Sequence, residues 1–178
     1  ILSLGAASAT PNGYDIAADI AELVPDPALL KLIAPEGGLA ETISEIRLRA
    51  NATLTAPLDR HAGETQPRLA TLALSDLAVT WGEVKLTAEG SIGPDDQGFA
   101  AGRINFTIAN WRTILPILVA SGTVRPQLAR TAETMLEGLA RQTGDPEVLK
   151  IPLTMQEGWM SFGPIPLGPA PAMILPTG

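Results

Sequence analysis

The apolar positions of this chain recur at every second residue. Val84, Leu86, Ala88 and Ile92 alternate with Lys85, Thr87, Glu89 and Ser91, and Ile104, Phe106 and Ile108 alternate with Arg103, Asn105 and Thr107. A period of two buries one face of a strand and leaves the other wet. The turn formers of Gly93-Pro94-Asp95-Asp96-Gln97-Gly98 join the two runs and predict an antiparallel hairpin. A helix follows, with Asn110 as its expected N-cap, and the stretch 81–122 is the centre around which the other elements are arranged.

The same period runs upstream. Residues 2–9 predict a weak strand closed by Pro11-Asn12-Gly13, and Tyr14, Ile16, Ala18 and Ile20 form its hairpin partner. Asp26-Pro27 supplies an N-cap and a first position for a short helix over 28–33, ended by Pro35 and Gly37-Gly38; alternatively, Leu29, Leu30, Leu32 and Ile33 close an open end of the sheet. Between residues 45 and 55 the alternation is cleanest, with Ile46, Leu48, Ala50, Ala52 and Leu54 opposed to Glu45, Arg47, Arg49, Asn51 and Thr53. Residues 57–67 read as an exposed loop. In the next run the apolar set shifts from Leu72 and Leu74 to Leu77, Val79 and Trp81, which places a β-bulge or bend near Ser75-Asp76. Gly82-Glu83 fits a two-residue type II′ turn.

After Asn110 the period changes. Residues 111–121 are apolar on nearly every side, so this helix must be covered, and Pro116 fits only in its first turn or as a break. Pro126 opens a second helix to Gln142, with Leu128, Ala132, Met135, Leu136 and Leu139 at helical spacing and Gly144 as its stop. Leu149, Ile151, Leu153 and Met155 then alternate again. Gln156-Glu157-Gly158 turns the chain, Trp159, Met160 and Phe162 pair back, and the proline-rich 163–171 suits a sheet edge. The elements together predict an α+β fold: a mainly antiparallel, curved β-sheet of about eight to ten strands in a hairpin meander, with a helical pair inserted near 111–143.

Composition narrows this picture. With 178 residues, 46% of them hydrophobic and 17% charged, the chain is expected to form one β-rich domain over 1–178. A net charge of −7 repels phosphate backbones and, on average, anionic membrane surfaces, so no nucleic-acid partner is expected. No cysteine means no disulfide, no thiolate nucleophile and no cysteine-ligated metal, and it leaves the compartment open. The apolar run 114–120 is too short to span a bilayer. Ile1 opens in mid-pattern without an initiator Met, and the chain reads as a piece of a longer protein.

Candidate chemistry is sparse. His61 is the only histidine and has no second histidine or cysteine to complete a zinc site; it reads as a solvated loop residue. Asp95-Asp96 could hold a cation with Asp15 or Asp19 if the fold joined them, but a polar turn is the plainer account. No serine sits in a nucleophile elbow, and the prolines between Gly163 and Gly168 remove the N–H donors a phosphate loop needs. The expectation is therefore a protein that is not an enzyme, with no catalytic residue, metal or cofactor. What remains is apolar: Ile46, Leu48, Leu54, Leu86, Ile104, Phe106 and Ile108 line strand faces that something must cover. Either the two helices close that face entirely, or part of it stays open as a groove for acyl chains, which suits a chain with only 4% aromatic residues. Trp81, Trp111 and Trp159 read as core or rim residues.

Three phrases carry a resemblance. Gly102-Arg-Ile-Asn-Phe-Thr-Ile-Ala-Asn-Trp-Arg112, Ile151-Pro-Leu-Thr-Met-Gln-Glu-Gly158 and Phe162-Gly-Pro-Ile-Pro-Leu-Gly-Pro-Ala-Pro171, with the 58–81 run ahead of Gly82, closely resemble the alphaproteobacterial family DUF2125. Members are longer and begin with a hydrophobic anchor, so the resemblance implies that this chain is their C-terminal half, held on the periplasmic side of the inner membrane by a segment upstream. The family has no assigned activity and brings no catalytic residues. The repeated one-faced strands are also similar in pattern to AsmA-like envelope proteins, whose β-grooves carry lipids. Two classes of partner are expected: a lipid held in a β-groove, as the second likeness implies, or an inner-membrane protein complex in which this chain is a structural or accessory subunit and a protein covers the apolar face.

Overall fold

The computed structural model describes residues 1–6, 10–33, 39–120 and 125–173. Nine strands form a single antiparallel sheet in chain order, β1 Leu2–Ala6, β2 Gly13–Leu23, β3 Ile43–Leu54, β4 Leu69–Trp81, β5 Val84–Pro94, β6 Ala100–Ala109, β7 Val148–Gln156, β8 Trp159–Phe162 and β9 Ile165–Pro169. The sheet is open and curved, as the alternation predicts. The helices are α1 Pro27–Ile33, α2 Ala62–Thr65, α3 Leu115–Ala120 and α4 Ala129–Gln142. Among the described residues no helix is long and apolar enough to cross a membrane.

Turn chemistry sets the register. Asn12 and Gly82 adopt positive φ at the turns into β2 and β5, and Glu157 and Gly158 do so between β7 and β8. Asp95 Oδ1 accepts from the backbone N–H of Gln97 and of Phe99, both at 2.9 Å, closing the turn between β5 and β6. The expected bulge is present: Arg49 pairs with Asp76 and Ala50 with Leu74, which leaves Ser75 as the extra residue, its hydroxyl donating to Arg49 O at 3.0 Å. The proline-rich β9 is an edge strand, where a residue without an N–H costs no ladder bond.

Two local expectations are corrected. Asn110 does not cap a helix with its side chain; it sits at φ +57 and its amide donates to Glu83 O at 2.6 Å, tying the end of β6 to the turn before β5. The helix it was to open is a 3-10 turn, Trp111–Thr113, followed by α3, which leaves Pro116 in the first turn of α3, where its missing N–H is harmless. The loop 57–67 holds the four-residue α2. By contrast Asp26 caps α1, accepting from Ala28 N at 2.7 Å, and Gly144 at φ +91 follows the end of α4 as expected. The expected turn residues Pro35, Gly37 and Gly38 lie outside the described residues.

The core lies between helices and sheet at one part of the apolar face. Trp111, Leu115, Ala132, Leu136 and Ala140 meet Ile108, Leu149 and Ile151, with Leu86, Phe106 and Phe162 against them. Phe106 and Phe162 make an edge-to-face pair with centroids 5.9 Å apart. A smaller cluster, Ala100, Met155 and Ala170, lies beyond it.

Candidate hydrophobic-ligand site

The antiparallel register carries one apolar face across the strands in rows. One row is Ile20, Ile46, Val79, Leu86, Ile108 and Leu149; the next is Ala18, Leu48, Leu77, Ala88, Phe106 and Ile151. Cover changes along the first. Ile20 is 37% exposed, Ile46, Val79 and Leu86 are half-buried, and Ile108 and Leu149 are buried. The helical layer packs over β5 to β8, whereas the rows on β3 and β4 belong to neither core cluster.

Where the sheet passes beneath the helices there is a cavity of about 130 Å³. Leu86, Phe106, Ile108, Leu149 and Phe162 line it from the sheet, Trp111, Ile114, Leu115 and Leu118 from the α3 segment, and Leu136 from α4. All ten are aliphatic or aromatic, and the Trp111 indole N–H is turned away, donating to Pro146 O at 3.0 Å. Apolar cavities of about 150 Å³ stay dry and accept benzene-sized molecules, so this one suits a short length of hydrocarbon. Leu86 links the two regions, lining the cavity while standing opposite Val79 of the half-covered rows.

Of the seven residues singled out in the sequence, Leu86, Phe106 and Ile108 line the cavity. Ile46 and Leu48 lie on the same face two strands away, Leu54 stands opposite Leu69 near the far end of β3, and Ile104 is buried in the row beyond Phe106. The helix-borne wall was missed as a site; its signal was the all-round apolarity of 114–120.

The opposite face is ionic. Arg49 Nη2 donates to both oxygens of Asp19 at 2.8 Å, Asn51 donates to Asp15 at 3.0 Å, and Arg47 bridges Asp76 at 2.8 Å and Glu45 at 3.0 Å. The hydrogen bond that Arg47 donates to Asp76, with the nearby negative charges, raises the pKa of the Arg47 guanidinium above its ordinary value. Beside the bulge, a shallow polar hollow of about 270 Å³ is lined by Asp76, Thr87, Glu89, Asn105 and Thr107 with Ser75 and Ala88.

The fold does not join the carboxylates considered as a cation site, since Asp19 is spent on Arg49 and Asp95 on its own turn. No cluster of three or more metal-ligating side chains forms among the described residues. His61 is exposed beside Arg60 and Glu64. Trp111 is core, Trp81 donates to Ala40 O at 2.6 Å, and Trp159 is 66% exposed.

No curated protein and no solved structure matches this chain. A family model matches residues 2–171, and on that match the chain belongs to the family described as an uncharacterized protein conserved in bacteria, DUF2125.

Proposed function

We propose that this chain is a non-enzymatic β-groove module that handles a lipid or similar hydrophobic ligand at the periplasmic side of the inner membrane. The observation that carries the reading is the unbroken apolar path from the half-covered rows of β3 and β4, through Leu86, into a cavity walled only by hydrocarbon. Such a wall has no acid, base or nucleophile to offer a substrate, and it rewards a ligand only for leaving water. The terminal part of an acyl chain would occupy the cavity and the remainder would lie along Val79 and Ile46. The proposed location rests on the upstream anchor that the resemblance implies, not on composition.

A second reading, an accessory subunit of an inner-membrane complex, draws on a different patch. Leu23 and Val24, 38% and 66% exposed at the end of β2, form an apolar edge of the kind a protein partner covers.

Native mass spectrometry with lipid extraction, on protein gently solubilised from its own membrane, separates the two. Lipid bound in a fixed ratio, and lost in Leu48→Asp without a change in melting temperature, supports the groove; Leu86→Phe, which narrows the cavity without adding charge, serves if the aspartate unfolds the sheet. A stoichiometric protein partner with no lipid overturns it in favour of the subunit.

A further inference from the structure

The acidic residues of this chain are unevenly placed. None occurs between Asp96 and Glu133, although the net charge is −7, and that acid-free run holds α3, the start of α4 and the arginines 103, 112, 125 and 130. Arg112 is neutralised by Glu147 at 2.7 Å and Glu137 at 3.5 Å, and Arg103 donates to Asn105. Arg125 and Arg130 are exposed and pair with no carboxylate among the described residues. Between them stands Leu128, 52% exposed, in the 3-10 turn Pro126–Leu128 that leads into α4, and seven residues on, within α4, is Met135, 40% exposed. The other side of α4 carries Leu136, which walls the cavity.

We propose that the turn leading into α4 and the first residues of that helix, with Arg125, Leu128 and Arg130, are a docking surface for an anionic lipid bilayer. The chemistry is that of an interfacial contact: two exposed arginines reach anionic headgroups while an apolar side chain between them enters the acyl boundary. Charge favours this surface over the carboxylate-rich remainder of the chain, although Glu133 stands one turn from Arg130, and Lys31, Arg68, Lys85 and Lys150 also form no ion pair among the described residues; what sets this surface apart is the exposed leucine between its two cations. Arg125 is attracted where the molecule as a whole is not, so docking orients the protein with the α3–α4 wall of its cavity against the bilayer. The proposal deepens the lipid-groove reading and rests on it for its purpose, though not for its test.

The test is co-sedimentation of the chain with phosphatidylglycerol vesicles and with phosphatidylcholine vesicles, beside a separate titration of a soluble, short-chain fluorescent fatty acid. Binding is expected to the anionic vesicles only and to fade as salt rises from 0.05 to 0.5 M, values chosen to shorten the screening length. Arg125→Ala and Arg130→Ala should each weaken it about fivefold and together about thirtyfold. Leu128→Ser should weaken it further. Since Arg125 and Arg130 have no carboxylate partner among the described residues, unchanged melting temperatures are expected. Equal binding to both vesicle types, no binding by the native chain, or full binding by the double variant overturns the proposal. So does a dimer in sedimentation velocity that Leu128→Ser dissolves, with no vesicle binding. Fatty-acid affinity unchanged in the double arginine variant keeps the groove and the docking surface distinct: vesicle binding without fatty-acid binding sinks the groove alone, and the reverse sinks the docking alone.

Discussion

Gly90 and Gly102 stand two pairs apart on β5 and β6, either side of the pair Ser91 and Arg103, at φ +150 and +136, a conformation that side chains rarely adopt. A β-carbon on Gly90 would lie 2.1 Å from Arg103 O, and one on Gly102 would lie 2.2 Å from Ser91 O. Neither neighbour is the free end of a side chain; each is ladder backbone that cannot yield without breaking pairs. The two glycines therefore let the strands approach closely just beyond the row that borders the cavity. Gly90→Ala is expected to lower the unfolding free energy by about 3 kcal/mol or more, read from urea denaturation. Gly138 faces open space inside α4, and Gly138→Ala should raise stability by about 0.5–1 kcal/mol in the same assay. Sequence pattern does not separate these cases. A glycine inside a strand and one inside a helix both register as interruptions, and only the position of the neighbouring backbone tells which is required.

Among the elements, α4 holds the helical layer to the sheet. Leu136 is 2% exposed and Met135, its neighbour in sequence, is 40% exposed. Leu136→Ala should cost about 2–5 kcal/mol by enlarging an existing apolar cavity, whereas Met135→Ala should stay within about 0.5 kcal/mol; thermal unfolding followed by circular dichroism compares them. The strands were largely legible, because alternation at 45–55 names a face and the phase shift at Ser75 names the bulge. Cover was not legible. Ile46 and Ile108 carry the same period and the same side chain, yet one is half-buried and the other 4% exposed, since cover depends on where α3 and α4 land. Asn110 misled for a related reason: its amide has a long-range partner, Glu83 O, and a residue satisfied across the sheet has no side chain left for a cap.

For the molecule as a whole, one face of the sheet is apolar and the other polar, with ion pairs across β2 to β4 each of whose members stays partly solvated. Exposed pairs of this kind add under about 1 kcal/mol each, so their main effect is to keep the reverse face from sticking to anything. On the proposed reading, ligand capture belongs to the hydrocarbon side. In a series of straight-chain fatty acids, each added methylene should tighten binding about fourfold, from about 0.8 kcal/mol per buried group, until the path along Leu86, Val79 and Ile46 is filled. Isothermal titration across chain lengths measures this; affinity independent of length would mean that the cavity is closed core.

The strictly sequential strand order has a consequence for the newborn chain. Every strand pairs with the one made just before it, so the ladder can grow while synthesis is still under way and no strand waits for a distant partner. The hydrocarbon face is different: six strands stand complete before the first residue of α3 exists, and α4 follows later still. Until then Leu86, Phe106 and Ile108 are bare, which makes the interval between Ala109 and Gln142 the period in which a holding chaperone, or an early acyl ligand, has most to protect.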